Sequence, residues 1–216
     1  MAEQADDKLA RRRPGRPSGG VAAVTHERLV KIAREAFSQC GYDGTTFAEV
    51  ARRAGLSRAA LNYHFADKPA LYHDVIKSTY TGVVAPAIDR AAQETDLARQ
   101  LSVFMETAGD AIRQDSSVAA FLCTSVAECQ RRPELRDPDH CPFTVTRRFL
   151  TWTVNDAVHR GELSPATRLE PLVDTLAAML AGIAFFAAFI GTPRQTRAIA
   201  TEIHQLLMGN MRAPSK

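Results

Sequence analysis

Apolar positions along the chain recur at helical rather than strand spacing. Leu29, Ile32, Ala33, Ala36 and Phe37 follow at i, i+3, i+4, i+7 and i+8, one stripe of an amphipathic helix. Thr25 is the expected N-cap of that helix, with Glu27 in its first turn, and Gly41 is expected to end it. A second, short helix starts at Thr46, because Thr46-x-x-Glu49 is a capping-box pattern, and its buried side would be Phe47, Val50, Ala51 and Ala54. Gly55 breaks it, Ser57 caps a third helix carrying Leu61 and Phe65, and Asp67 caps a fourth with Pro69 tolerated in its first turn. Further breaks fall at Pro86, Glu94-Thr95-Asp96, Ser116, the RRPELRDPDHCP stretch, Gly161/Pro165 and Thr192-Pro193. They predict helices near 67–83, 84–93, 96–114, 117–131, 142–160, 167–190 and 194–209. No run sustains β-branched alternation and no repeat period emerges, so the expected class is all-α.

Charge changes this picture more than composition does. The 216 residues are 45% hydrophobic, an ordinary globular value, with a net charge of +3. Residues 1–80 hold 13 Lys/Arg against 9 Asp/Glu, whereas residues 81–216 hold 14 against 15. The positive excess therefore lies in the first third, as expected if that third meets a polyanion. Residues 1–22 read as a disordered basic arm, with Pro14, Gly15, Pro17, Gly19 and Gly20 as helix breakers and no apolar segment of the kind a secretory signal needs. Cys40, Cys123, Cys129 and Cys141 contain no CxxC pair, which fits neither a disulfide framework nor a zinc ribbon and points to a cytoplasmic protein. Thr175–Pro193 carries no charge over 19 residues, but it is interrupted by Gly182 and flanked by amphipathic helices. It reads as a central or interface helix of a soluble bundle, so no membrane partner is expected.

The stretch TTFAEVARRAGLSRAALNYHFADKPAL carries the function. Two short helices joined by a tight turn need a small residue at their approach, a residue tolerant of positive φ, and an apolar residue after it. Ala51, Gly55 and Leu56 meet those demands, and the third helix would then present Ser57, Arg58, Ala59 and Asn62 to a major groove. The segment resembles the DNA-binding unit of the TetR family, T-x-x-x-I/V-A-x-x-A-G-V-S-x-G-x-L-Y-x-Y/H-F-x-x-K-x-x-L. It supplies Thr46, Val50, Ala51, Ala54, Gly55, Ser57, Leu61, Tyr63, His64, Phe65, Lys68 and Leu71, and Ala33 to Phe37 followed by Gly41-Tyr42 fits the family's first helix. The resemblance covers about residues 25–75. It implies a helix-turn-helix DNA-binding domain over 23–83, with the motif at 46–65, followed by a larger helical effector-binding and dimerisation domain over 84–216. It also implies that Thr46, Tyr63, His64 and Lys68 contact phosphates, which fix register without reading sequence. Arg58 and Asn62 are the candidates for guanine and adenine edges. Ala59, Ala60 and Asn62 depart from the glycine, threonine and tyrosine common in the family at these places.

The arm adds a second candidate contact. Arg11-Arg12-Arg13-Pro14-Gly15-Arg16-Pro17 is similar to the AT-hook core, which implies Arg13 and Arg16 in a narrow, A·T-rich minor groove. For the remaining two thirds the resemblance implies homodimerisation through the last two long helices. Leu176, Leu180, Ile183 and Phe186 lie along one, and Ile199, Ile203, Leu206 and Leu207 along the other. A two-fold dimer would set two recognition helices roughly 34–36 Å apart, hence a palindromic operator. Phe104, Met105, Phe121, Phe149, Trp152, Phe185 and Phe189 are the expected walls of a cavity for a small, mostly apolar effector. Cys123 and Cys129 do not share a helical face and Asp137, Asp139 and His140 lie in a loop, so neither metal nor cofactor is expected. No GxSxG, HExxH, P-loop or dinucleotide fingerprint occurs, which argues against an enzyme. The expected function is a DNA-binding repressor released by its effector; the alternative is an architectural or effector-independent DNA-binding protein.

Overall fold

The computed structural model describes the backbone of residues 19–211 and the side chains of 26–206, so Arg13 and Arg16 of the arm, and the side chain of Leu207, lie outside the described residues. The helices are α1 (Gly19–Gly44), α2 (Phe47–Ala54), α3 (Arg58–His64), α4 (Lys68–Thr79), α5 (Ala85–Ala91), α6 (Leu97–Gln114), α7 (Ser117–Arg131), α8 (Pro142–His159), α9 (Leu169–Phe189) and α10 (Pro193–Met211). A π-helical turn, Tyr80–Val84, joins α4 to α5, and a 3-10 turn, Pro133–Leu135, follows α7. There is no strand among the described residues, and the fold is all-α.

The caps arise locally. Thr46, Ser57, Asp67 and Asp96 each accept a hydrogen bond from an amide three residues on, at 2.8–3.1 Å. Gly55 ends α2 at φ 70°, and this left-handed residue lets the Leu56 amide reach back to the Ala51 carbonyl at 2.9 Å. Thr25 is not a cap, contrary to expectation. The α1 backbone is helical from Gly19, carried past Thr25 by the strong helix formers Ala22 and Ala23. Gly41 does interrupt α1, at φ 69° and ψ 178°, before a last turn ending at Gly44.

The expected break before Pro86 is also absent. Pro86 has no amide hydrogen and its ring crowds the carbonyl four residues back, Gly82. The chain accommodates it by widening the preceding turn into the π geometry of Tyr80–Val84, so α4 runs into α5 without a loop.

Two apolar cores result. The second unites α5, α6, α8 and α9 through residues such as Leu101, Leu150, Val154 and Val173. The first holds Leu29, Phe37, Val50, Leu61, Phe65, Tyr72 and Ile76 of α1–α4, yet it is completed from beyond residue 83 by Phe121 and Cys129 of α7 and by Leu135. Phe37 and Tyr42 both meet Tyr72 edge-on, at 4.9 and 5.1 Å between ring centroids, and Phe121 closes on Tyr72 at 5.4 Å.

Polar contacts clamp α7 to α1 at both ends. At one end the Arg34 guanidinium donates to Asp115 Oδ2 at 2.7 Å and Ser117 Oγ at 3.1 Å. Asp115 in turn accepts from the Ser117 amide and hydroxyl at the start of α7. At the other end the Tyr42 amide donates to Glu128 Oε1 at 3.3 Å, and Arg132 pairs with both Glu128 and Asp43. The Arg34 and Asp115 side chains are only 11% and 16% exposed. Burial disfavours the Asp115 carboxylate, but hydrogen bonds from Ser117 and Arg34 outweigh it and hold its pKa below the usual 3.8.

Removing the guanidinium would strand that carboxylate. Arg34→Met should destabilise the protein by about 2–3 kcal/mol at pH 7, less than a fully buried pair would lose. The depressed pKa means this stabilisation is complete above the unfolded carboxyl value and lost as pH falls through the lower folded one. Urea midpoints of variant and wild type should therefore differ at pH 7 and converge below pH 3.8.

Candidate nucleic-acid interface and interior cavity

Leu61 and Phe65 are buried in the first core and fix the rotation of α3. That rotation turns Arg58, Ala59, Asn62 and Tyr63 outward, at i, i+1, i+4 and i+5 on one free face. Tyr63 is 83% exposed, unusual for an aromatic ring, and His64 sits edge-on to it at 5.5 Å and half-buried. Arg58 has no ion pair among the described residues, so its guanidinium is available to an external acceptor. Arg52 and Arg53 differ: both are engaged by Glu49, at 2.8 Å, and Arg53 also donates to Gln39. The hydrogen bonds from Arg52 and Arg53 pull the Glu49 pKa down to about 2, so the carboxylate is charged throughout the physiological range. Thr46 and Ser57 are exposed at the helix starts they cap.

Lys68 has a different setting from that expected of a free phosphate contact. Its ammonium lies 4.1 Å over the Tyr42 ring and donates to the carbonyls of Tyr42 and Thr45 at 2.9 and 3.1 Å. The Tyr42 carbonyl also accepts from the Thr45 amide at 3.3 Å, and Lys68 adds a charged donor to both carbonyls from the start of α4. Two of its three protons are thus committed inside the protein. Buried Thr45, missed in the sequence, joins this junction by donating to the Gly41 carbonyl at 2.8 Å.

A cavity of about 1070 Å³ lies among α6, α7, α8, α9 and α10. Phe104, Met105 and Phe185 line it, together with Leu122, Phe143, Leu180 and Ile183. Its polar wall includes Ser102 and His204, which are hydrogen-bonded to each other, and Arg197. Four expected wall residues do not line it. Phe121 belongs to the first core, drawn there by Tyr72. Phe149 lies behind Phe104, stacked on it at 5.3 Å; Trp152 stacks on Phe149 from outside and is half-exposed; Phe189 is exposed beside Phe185.

The expected dimer residues also separate. Leu176 is buried in the second core, and Leu180 and Ile183 face the cavity. Phe186 packs against Gly191, where a side chain would have no room. Ile199 and Ile203 are half-buried and Leu206 is exposed. The exposed large apolar side chains from α8 onward are Phe143, Trp152, Phe185, Phe189, Ile190 and Leu206, the last of them an expected dimer residue. Helix α9 is the one among the described residues long and apolar enough to cross a membrane by length and composition, and little of it is buried in a single protomer.

The helix-turn-helix coincides with a known sequence family: the model described as "Bacterial regulatory proteins, tetR family" matches residues 29–75. Over these residues the chain carries a TetR-family DNA-binding module. Similarity to relatives extends much further than the motif. The HTH-type transcriptional regulator BetI of Burkholderia thailandensis is 24% identical over 183 residues, 84% of this chain and 91% of that protein. BetI of Paraburkholderia xenovorans is 25% identical over the same shares. Among solved structures, the TetR-family transcriptional regulator PfmR from Thermus thermophilus superposes with a TM-score of 0.65 at 20% identity, covering 88% of this chain and 96% of its own. A TetR-family regulator from Agrobacterium tumefaciens gives 0.70 at 15% identity, covering 85% and 97%. The relatives are transcriptional regulators, and this chain has the same layout, with the TetR-type module at its N-terminal end and a helical domain behind it.

The Lys68 junction can be checked without DNA. Lys68→Met should lower stability by about 1.5–3 kcal/mol, the range for hydrogen bonds from a charged donor, with Lys68→Arg less affected. Chemical denaturation measures the loss; unchanged stability would contradict the internal role.

Proposed function

We propose that the protein is a repressor that binds a palindromic operator as a homodimer and is released by a small, mostly apolar effector. The observation that carries the reading is the exposed face of α3, with Arg58, Ala59, Asn62 and Tyr63 free on a helix pinned by Leu61 and Phe65. Arg58 and Asn62 read base edges in the major groove; Thr46, Tyr63, His64 and the adjoining Ser57 contact phosphates and sugar. Lys68 acts chiefly by holding the module together, and its remaining proton can reach a phosphate. Arg13 and Arg16 extend the contact into the adjacent minor groove. Such a regulator works in the cytoplasm, where the DNA is.

Dimerisation covers the outward apolar residues of α8–α10, with Leu206 joining Phe189 and Ile190 in the contact. Phe104, Met105 and Phe185 hold the effector's apolar body, while Ser102 and His204 offer its one hydrogen-bonding end. The cavity shares Leu122, Cys123 and Val126 of α7 with the helix that clamps α1. A ligand that fits one position of α7 better than another shifts the population of α1–α3 arrangements, and with it operator affinity.

A mobility shift on the DNA upstream of the protein's own coding region tests the reading. Binding should be sequence-selective and weaken steeply with salt. Arg58→Ala should cost about 1–3 kcal/mol, roughly fivefold to 150-fold in affinity, and relax preference at one base pair, whereas Tyr63→Ala should weaken all sequences alike. Unchanged base preference in Arg58→Ala refutes its reader role. In a separate measurement, Phe189→Glu should leave the fold intact, because the ring is exposed, but convert sedimentation from dimer to monomer.

A further inference from the structure

Cys129 and Cys141 line one small recess of about 150 Å³ between the end of α7 and the start of α8. Arg136, Asp137, Pro138 and Thr144 form its other polar and turn-side walls. Cys129 is buried in the first core, next to the chain that carries Leu135. Its thiol donates to the Leu135 carbonyl at 3.5 Å, and the Cys141 side chain lines the same recess. Cys141 is half-buried and occupies the N-cap of α8, a position that α2, α3, α4 and α6 fill with a threonine, serine or aspartate oxygen. Neither sulfur is tied up in a disulfide.

We infer that Cys129 and Cys141 form a dithiol modification site that a hydroperoxide converts into an intramolecular disulfide. The roles of the two sulfurs differ. Cys141 is the attacking group: the Cys129 thiol in the same recess, and its own place at the start of α8, favour its thiolate against the cost of burial. Cys129, pushed the other way by the same pairing and by burial, is the resolving thiol. The Cys141 thiolate attacks the terminal peroxide oxygen, forming S–O as O–O breaks, and the released alkoxide (hydroxide, when the oxidant is hydrogen peroxide) takes up a proton. Cys129 then attacks the Cys141 sulfenic sulfur. S–S forms, S–O breaks, and the proton lost from Cys129 leaves with hydroxide as water. Two thiols are oxidised by two electrons, and one hydroperoxide is reduced to an alcohol and water. The other cysteines lack this arrangement. Cys40 is exposed without a thiol neighbour, and burial pushes Cys123 up to about 11.

The site stands apart from the operator and effector readings, and its test is chemical. Full-length protein carrying Cys40→Ser is treated with one equivalent of hydrogen peroxide at pH 7. Two titratable thiols should disappear per chain, and a non-reducing digest should yield a Cys129–Cys141 linked peptide two hydrogens lighter than its parts. With Cys129→Ser the reaction should stop at a Cys141 sulfenic acid trapped by dimedone; with Cys141→Ser no thiol should be lost. Before oxidation, Cys141 should alkylate roughly tenfold faster than Cys123. Absence of the linked peptide, or alkylation of Cys141 no faster than Cys123, overturns the proposal, and both readouts hold in the Cys40→Ser protein even if a core cysteine variant folds poorly.

Discussion

Everything in this molecule hangs on the docking of α7 against α1. The helix-turn-helix is too small to bury its own aromatic residues: Tyr72 finds part of its packing in Phe121, which arrives from some fifty residues downstream. Full burial of a phenylalanine is worth about 1.5–3 kcal/mol, so the missing helix would be a serious loss to so short a unit. The contact is also directional. Arg34 and Asp115 fix one end, and Glu128, Arg132 and the Tyr42 amide fix the other, so α7 cannot slide along α1 without breaking charge-assisted bonds. The face of α7 that packs on α1 and the face that lines the cavity are consequently two sides of one helix.

Helix α9 shows a second kind of economy. It is apolar almost all round, yet its faces have different neighbours. Leu176 and Val173 enter the second core, Leu180 and Ile183 border the cavity, and Phe189 and Ile190 point outward. A helix apolar on every side needs cover on every side. In the proposed dimer the last of these faces is covered by another copy, and the uncharged run of nineteen residues then needs no bilayer to explain it.

What the sequence revealed follows the reach of each interaction. Caps are local, and Thr46, Ser57 and Asp67 were legible because each bonds an amide three residues away. The turn at Gly55 was legible for the same reason. The helix start at Thr25 was misread because a good capping residue does not prevent upstream alanines from extending a helix. Aromatic residues were harder still: Phe121, Phe104 and Trp152 all suit an apolar stripe, and only tertiary packing sends the first to one core, the second to the cavity and the third to the surface. Lys68 illustrates the same limit, since the carbonyls it satisfies are more than twenty residues earlier. The outward face of α3 was read from the positions of Leu61 and Phe65, which the structure buries.

The widened turn at Tyr80–Val84 has a mechanical consequence. A flexible linker would let the two halves of the chain drift independently and would dissipate any displacement between them. Here the backbone from Lys68 to Ala91 is a single helical rod with one wide turn in it. A change in the direction of α5 is therefore shared with α4 and not absorbed by a loop between them. Pro86 thus widens the rod without interrupting it.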